Sequence, residues 1–326
     1  MPARASVAAL LLALVGCAAG DDLTRRAAAT VDHHQHLFRE GLPRPGGNTP
    51  AIDAAELVRL LDAAKISRAV VLSLGYQPGN PNRPAPPEEY AQVRAENDWT
   101  SRQVARFPRR LIGFCGFNPL RAYALEELHR CARDPHLRRG IKLHFGNSDV
   151  QLDNSAHLQQ LRQIFAAANE QRMAVIIHLR ASVSQRRPHG AAQAKAFLEQ
   201  VLPSAPDVPI QIAHLAGAGG YDDPSTDETL AAFIDAFRAN DPRMKNVYFD
   251  VSGVAGIGAW RDKADLIARR IRELGTQRVL YGSDGALPGN LPAEAWTAFS
   301  HLPLTTQELA AIARNVAPYM TDRRSN

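Results

Sequence analysis

The sequence predicts a single-domain (β/α)8 (TIM) barrel, and three observations carry that expectation. Eight apolar, β-type runs recur along the chain, helix-like segments separate them, and the first run is not followed by a Gly-rich phosphate turn. Continuous Val/Ile/Leu strands alternating with helices are the pattern of a parallel sheet buried on both faces. Eight such units in a chain of 326 residues suit a closed barrel. A doubly wound open sheet is the competing arrangement, and "HHQHLF" stands where its glycine-rich turn would be.

The runs, in order, are "TVDHHQHL" (30–37), "RAVVLSL" (68–74), "LIGFCGFN" (111–118), "GIKLHF" (140–145), "MAVIIHL" (173–179), "PIQIAHL" (209–215), "VYFDVS" (247–252) and "RVLYGSD" (278–284). Between them lie segments such as "AAELVRLLDAAK", with Leu57, Leu60 and Leu61 on one helical face, and "NSAHLQQLRQIFAAANEQ". After the second run comes "GYQPGNPNRPAPPEEY" (75–90), whose five prolines demand an extended loop. Loops after barrel strands lie on the catalytic face, so this loop is expected to wall a site. "AGAGG" (216–220) lacks the G-x-x-x-x-G-K pattern and suits flexible access better than a phosphate cradle.

The N-terminus reads differently. "MPARASVAALLLALVGCAAG" has Arg4, an apolar stretch from Val7 to Val15, and small residues after it. That is secretory-signal grammar, too short to span a bilayer. "LVGC" resembles a bacterial lipobox, with Cys17 as the lipidated first residue of the mature protein; an ordinary signal with an incidental cysteine is the alternative. The expected domains are therefore a lipoprotein signal over 1–16, a tether over 17–28 and the barrel over 29–326. The mature protein would be exported and held by a lipid anchor on a bacterial membrane, on its periplasmic or outer side. A formal charge of +5, with scattered arginines and no basic-aromatic interleaving, gives no sign of a nucleic-acid partner. Beyond the signal only Cys115 and Cys131 remain, which excludes a Cys-rich zinc site; buried free thiols are expected, with a bridge as the alternative. Nothing in the sequence indicates an oligomeric state.

Polar residues gather at the ends of the predicted strands, where barrel enzymes place their chemistry. Three histidines fall within positions 33–36. Strand alternation puts His34 and His36 on one face and His33 on the other, toward the helices, as a satisfied structural residue. Lys142 and His144 share a face of the fourth strand, His178 ends the fifth, His214 the sixth and Asp284 the eighth. A single strand-end histidine is usually a hydrogen-bonded core residue. Five of them in one ring with a carboxylate are costly to bury unless a metal collects them. Imidazole with one carboxylate suits zinc first, and manganese or iron less exclusively.

These motifs together resemble the amidohydrolase superfamily, in the amidohydrolase-related branch of mononuclear lactonases and decarboxylases. "VDHHQHL" resembles that family's Asp-x-His-x-His on strand one, "GIKLHF" its strand-four element, "VIIHL" and "IAHLAG" its histidines on strands five and six, and "YGSD" its strand-eight Gly-Ser-Asp. "RNVAPYM" resembles the segment of the last helix at Asn315. The resemblance implies that His34, His36, His178 and Asp284 hold one divalent ion, with His214 beside the reacting water or substrate. It also implies Asp284 as proton acceptor, with Asp32 supporting the histidine pair from behind. Lys142 is ambiguous: it would bridge two metals in binuclear relatives, but contact substrate in the mononuclear branch. His144 is expected to face substrate. Arg180 could clamp a carboxylate or be a solvated loop residue, Arg39 could join such a clamp, and Asp250 is a candidate for internal polarity. The implied activity is metal-dependent hydrolysis of a small lactone, ester or amide. Non-oxidative decarboxylation of an aromatic or dicarboxylic acid is the alternative. A non-catalytic metal- or ligand-binding lipoprotein is a second alternative, disfavoured because no member of the ligand set is missing.

Overall fold

A computed structural model of the chain describes residues 28–39, 51–256, 260–285 and 290–321. The expected leader, Cys17 and all of the tether but its last residue lie outside them. Each of the eight runs becomes a strand: β1 Val31–Gln35, β2 Arg68–Leu72, β3 Leu111–Gly116, β4 Gly140–His144, β5 Ala174–His178, β6 Ile210–Ile212, β7 Val247–Asp250 and β8 Val279–Leu280. All seven neighbouring pairs are parallel and run in sequence order. His33 N donates to Tyr281 O at 2.9 Å and Asp284 N to His34 O at 2.9 Å, which brings the last strand back to the first. The result is the (β/α)8 barrel.

The helices follow from their caps and their apolar faces. They are α1 Ala54–Ala63, α2 Glu89–Ala105, α3 Ala124–Arg133, α4 Phe145–Ser148, α5 Ser155–Glu170, α6 Ala191–Gln200, α7 Pro224–Arg238, α8 Ala264–Leu274, α9 Pro292–Phe299 and α10 Thr306–Arg314. Asp53 opens α1 by accepting from Glu56 N at 2.9 Å, and Leu57, Leu60 and Leu61 are buried, as the periodicity predicts. Asn154 caps α5, and Thr305 with Glu308 forms a capping box on α10.

Two apolar layers result. The outer one, between sheet and helices, takes Ala69 and Val71 from β2 and Ile210 and Ile212 from β6. The inner one fills the barrel floor with Val31, Val70, Leu72, Phe114, Ile176 and Leu280. Ala317, Tyr319 and Met320 close it from below, carried on a single 3-10 turn after α10. Tyr319 Oη donates to Gln211 Oε1 inside the barrel.

Cys115 and Cys131 correct one expectation, for they form a disulfide rather than two free thiols. Cys131 falls on the buried face of α3, directly over β3, with the two Cα atoms 6.1 Å apart, within disulfide reach. A bridge across 16 positions is worth about 3 kcal/mol in the chain-entropy account. The double variant Cys115→Ala, Cys131→Ala should lose about that much stability. An unchanged urea midpoint in the variant would show that the bridge does not stabilise the fold.

Candidate active site

The site begins with an irregularity in β1. Asp32 pairs with Ala69 and Gln35 with Val71, so His33 and His34 together oppose Val70. Val70 points into the barrel, and this β-bulge turns both histidines inward. Strict alternation had sent His33 toward the helices; instead it lies on the barrel floor, edge-on to Tyr319 with ring centroids 6.3 Å apart. It is nonetheless a satisfied structural histidine, donating through Nδ1 to Tyr281 O at 2.9 Å and accepting from Ala317 N at 3.2 Å. Burial lowers its pKa to about 4, consistent with a neutral ring.

Asp32 fixes the bulge. It is fully buried and accepts from His34 N, Gln35 Nε2, Ser283 N and Ser283 Oγ at 2.6–3.1 Å. It therefore holds the backbone of β1 against the end of β8, and touches no ligating ring nitrogen. The "YGSD" order now has a physical reading. A Cβ on Gly282 would lie 2.7 Å from the Cβ of His34, so only glycine permits this approach. Ser283 binds Asp32, and Asp284 turns into the site with φ 54°. His214, Leu215 and Ala216 also have left-handed backbones, with φ 57°, 48° and 69°. Such residues cost about 1–3 kcal/mol each and collect at functional sites.

At the centre, the Nε2 atoms of His34 and His36 lie 3.6 and 3.5 Å from Asp284 Oδ1. Donors bound tetrahedrally to zinc at ~2.1 Å stand about 3.4 Å apart, so this trio fits a metal ion. The other ring nitrogens are occupied. His34 Nδ1 donates to Asp250 Oδ2 at 3.0 Å, His36 Nδ1 to Leu72 O at 2.7 Å and His214 Nδ1 to Ser252 O at 2.7 Å. These bonds select the tautomer that leaves Nε2 with the lone pair. His34, His214 and Asp250 also cluster, but Asp250 is saturated by hydrogen bonds and serves them from behind.

Electrostatics agree with these roles. Burial pulls the pKa of His36 down to about 3 and lowers His214, so both present neutral rings. Burial pushes Asp284 upward, but His34, His36, His214 and Lys142 outweigh it and hold the carboxyl below its ordinary value. Its side chain is 31% exposed, the open side of the trio. Burial also opposes ionisation of Asp250, and His34 and its other donors overcome it.

The remaining residues divide. His178 lies beside the trio, edge-on to His214 at 4.9 Å and stacked on His144 at 3.8 Å between centroids. His144 Nδ1 accepts from Asn147 N, and Tyr76 packs against its ring at 5.0 Å. Lys142 is 1% exposed, with Nζ 3.2 Å from His34 Nε2, and burial lowers its pKa to about 8. Arg180 does not reach out: its guanidinium donates to Asp223 Oδ2 at 2.8 Å and to the carbonyls of Ala181 and Arg187. These bonds tie the loop after β5 to Asp223 at the start of α7. Arg39 is paired with Glu96 at 3.2 Å and lies over Trp99, and Asn315 supports the start of β8 through Val279 O.

A cavity of about 370 Å³ opens beside His144 and His178. Asn80, Asn82 and Arg83 of the proline-rich loop form one wall, and Ser182–Ser184 another. The loop is thus where its position after β2 predicted. Sequence reasoning passed over Ser252, Gln211 and Tyr76. Ser252, two residues beyond Asp250, carried the only local signal, as another polar residue on the same strand end.

Comparisons with known proteins identify the family and the fold. The amidohydrolase family pattern matches residues 31–317. No curated protein matches the chain. Among solved structures, 2,6-dihydroxybenzoate decarboxylase from Rhizobium is similar at 16% identity and TM-score 0.59, over 88% of this chain and 97% of that one. A 5-carboxyvanillate decarboxylase from Novosphingobium aromaticivorans, complexed with manganese, is similar at 18% identity and TM-score 0.58, over 89% and 95%. A probable 2-pyrone-4,6-dicarboxylic acid hydrolase from Acinetobacter baumannii follows at 17% and 0.55, over 88% and 96%. At such identities the likeness is one of fold.

Proposed function

Since the chain belongs to the amidohydrolase family, which spans its residues 31–317, we propose that it is a metal-dependent hydrolase of a small lactone, ester or amide. The observation that carries this reading is the trio of His34, His36 and Asp284, with both Nε2 atoms 3.5–3.6 Å from Asp284 Oδ1. These residues would hold one divalent ion, zinc first and manganese or iron as alternatives, with His178 as fourth ligand. The ion would supply Lewis-acid polarisation and ease the ionisation of water. Asp284, ionised and partly exposed, takes the proton of the attacking water and returns it to the leaving group. His214, fixed by Ser252 and neutral, directs Nε2 at the nucleophile or the carbonyl. Asn80, Asn82 and Ser182–Ser184 orient a small polar substrate. His144, whose Nδ1 is taken by Asn147, turns its Nε2–H to the same space.

The test is a screen of lactones, esters, amides and aromatic carboxylates, with and without chelator. Turnover should vanish on chelation and return with one equivalent of metal; turnover that survives complete metal removal would refute the reading. Two bound equivalents would place Lys142 in the metal shell. Decarboxylation remains the second reading, because Arg83 in the cavity wall and the His144 ring, packed on Tyr76, suit an aromatic carboxylate. The two decarboxylases similar in fold lend it support. Release of CO2 in place of ring opening or acyl cleavage would select it.

The same proposal includes export and lipidation at Cys17. The Cys115–Cys131 bridge supports it, since such bonds persist in oxidising compartments. Cys17→Ala should move the protein from the membrane fraction to the soluble one; if it stays with membranes, the anchor lies elsewhere.

A further inference from the structure

We propose that Lys142 is a resident competitor for the metal at His34, so that it tunes the metal affinity of the site. The inference rests on the metal-site reading above. Lys142 comes from β4, where its neighbours across the sheet are Gly116 and Ile176, and its side chain crosses the barrel interior. Nζ stops 3.2 Å from His34 Nε2. His34 Nδ1 is already engaged by Asp250, so Nε2 carries the ring's lone pair. That lone pair can accept an N–H from Lys142 or bind a metal ion, but not both. It is also the atom 3.6 Å from Asp284 Oδ1, so the contested position belongs to the trio itself.

Charge adds to the competition. Asp250 and Asp284 place two carboxylates around His34, and among the described residues Lys142 is the one amino group set among them. Without metal, the ammonium balances part of that charge and keeps Nε2 hydrogen-bonded, so the donors stay in place. When a divalent ion binds, the ammonium must withdraw from Nε2 and remain as a like charge close by. Lys142 thus stabilises the metal-free site and weakens the loaded one. The expected consequence is a pair of opposite effects from one substitution.

The experiment uses the full chain stripped of metal, with Zn2+ as probe in equilibrium dialysis and in thermal unfolding. Lys142→Met keeps the length and apolar stem but removes the ammonium. It should bind Zn2+ at least tenfold more tightly than the unsubstituted protein. Its metal-free form should melt lower, and added Zn2+ should raise its Tm by more. Equal or weaker Zn2+ binding by the variant overturns the proposal while leaving the metal site standing. If neither protein binds Zn2+, the metal-site reading itself fails and the proposal falls with it. Should Lys142→Met not fold, Lys142→Gln reads the same difference, since it too lacks the charge.

Discussion

Replacing Asp284 by Asn should reduce kcat/KM by at least about 10³-fold while leaving the protein folded, because a general base alone is worth 10²–10⁴. The two halves of this expectation have separate causes. Asp284 has φ 54°, a left-handed conformation that asparagine adopts more readily than most residues, so the turn survives. Its main chain is held independently, by donation of its N–H to His34 O and by Asn290 on its carbonyl. What disappears is the charge facing the Nε2 atoms of His34 and His36, and with it the acceptor for a proton. Turnover within tenfold of the original, at an unchanged melting temperature, would assign the base elsewhere. His214 would then be the next residue to examine.

The second large effect is expected at Asp250, and it falls on stability as well as metal binding. This carboxylate is buried and receives His34 Nδ1 at 3.0 Å, Gln211 Nε2 at 2.6 Å, His214 N at 3.0 Å, and both Ser252 N and Ser252 Oγ. Asp250→Ala leaves these donors without their acceptor in a dry interior. A loss of about 3–5 kcal/mol follows from removing one partner of such a buried network. Asp250→Asn is gentler on the fold, but no longer orients His34 as an anionic acceptor, and outer-shell changes of that kind weaken metal binding by about 10–100-fold. Chemical denaturation and metal dialysis on the two variants separate the contributions. A wild-type midpoint in Asp250→Ala would mean that the network contributes little.

Much of this arrangement was legible in the sequence, and the misses share a cause. All eight strands were visible because buried parallel strands are apolar throughout, and His34, His36 and Asp284 because they sit at strand ends. The inward turn of His33 was not visible. A period of two has no room for the bulge, which is set by Asp32 gripping Ser283, 251 positions away. Arg180 read either as a carboxylate clamp or as a solvated loop residue, because Asp223, which pairs with it, lies 43 residues downstream. Asp32 was expected to support the histidine pair, and it does bind the backbone of His34. The group in contact with the His34 ring is Asp250, which comes from β7, two strands away round the barrel. The disulfide was hidden for the same reason, since two cysteines and a spacing do not specify whether a helix lands on its strand. In each case the missing information was a tertiary partner, which no local pattern carries.

The turn that closes the barrel floor is coupled to the site above it. Tyr319 bonds Gln211, Gln211 bonds Asp250, and Asp250 orients His34. The imidazole on β1 is therefore tied through three side chains to the turn that follows α10. Tyr319→Phe would take the donor from Gln211 and loosen the hold of Gln211 and Asp250 on His34. A change in the barrel floor therefore reaches the histidines of the candidate site from below.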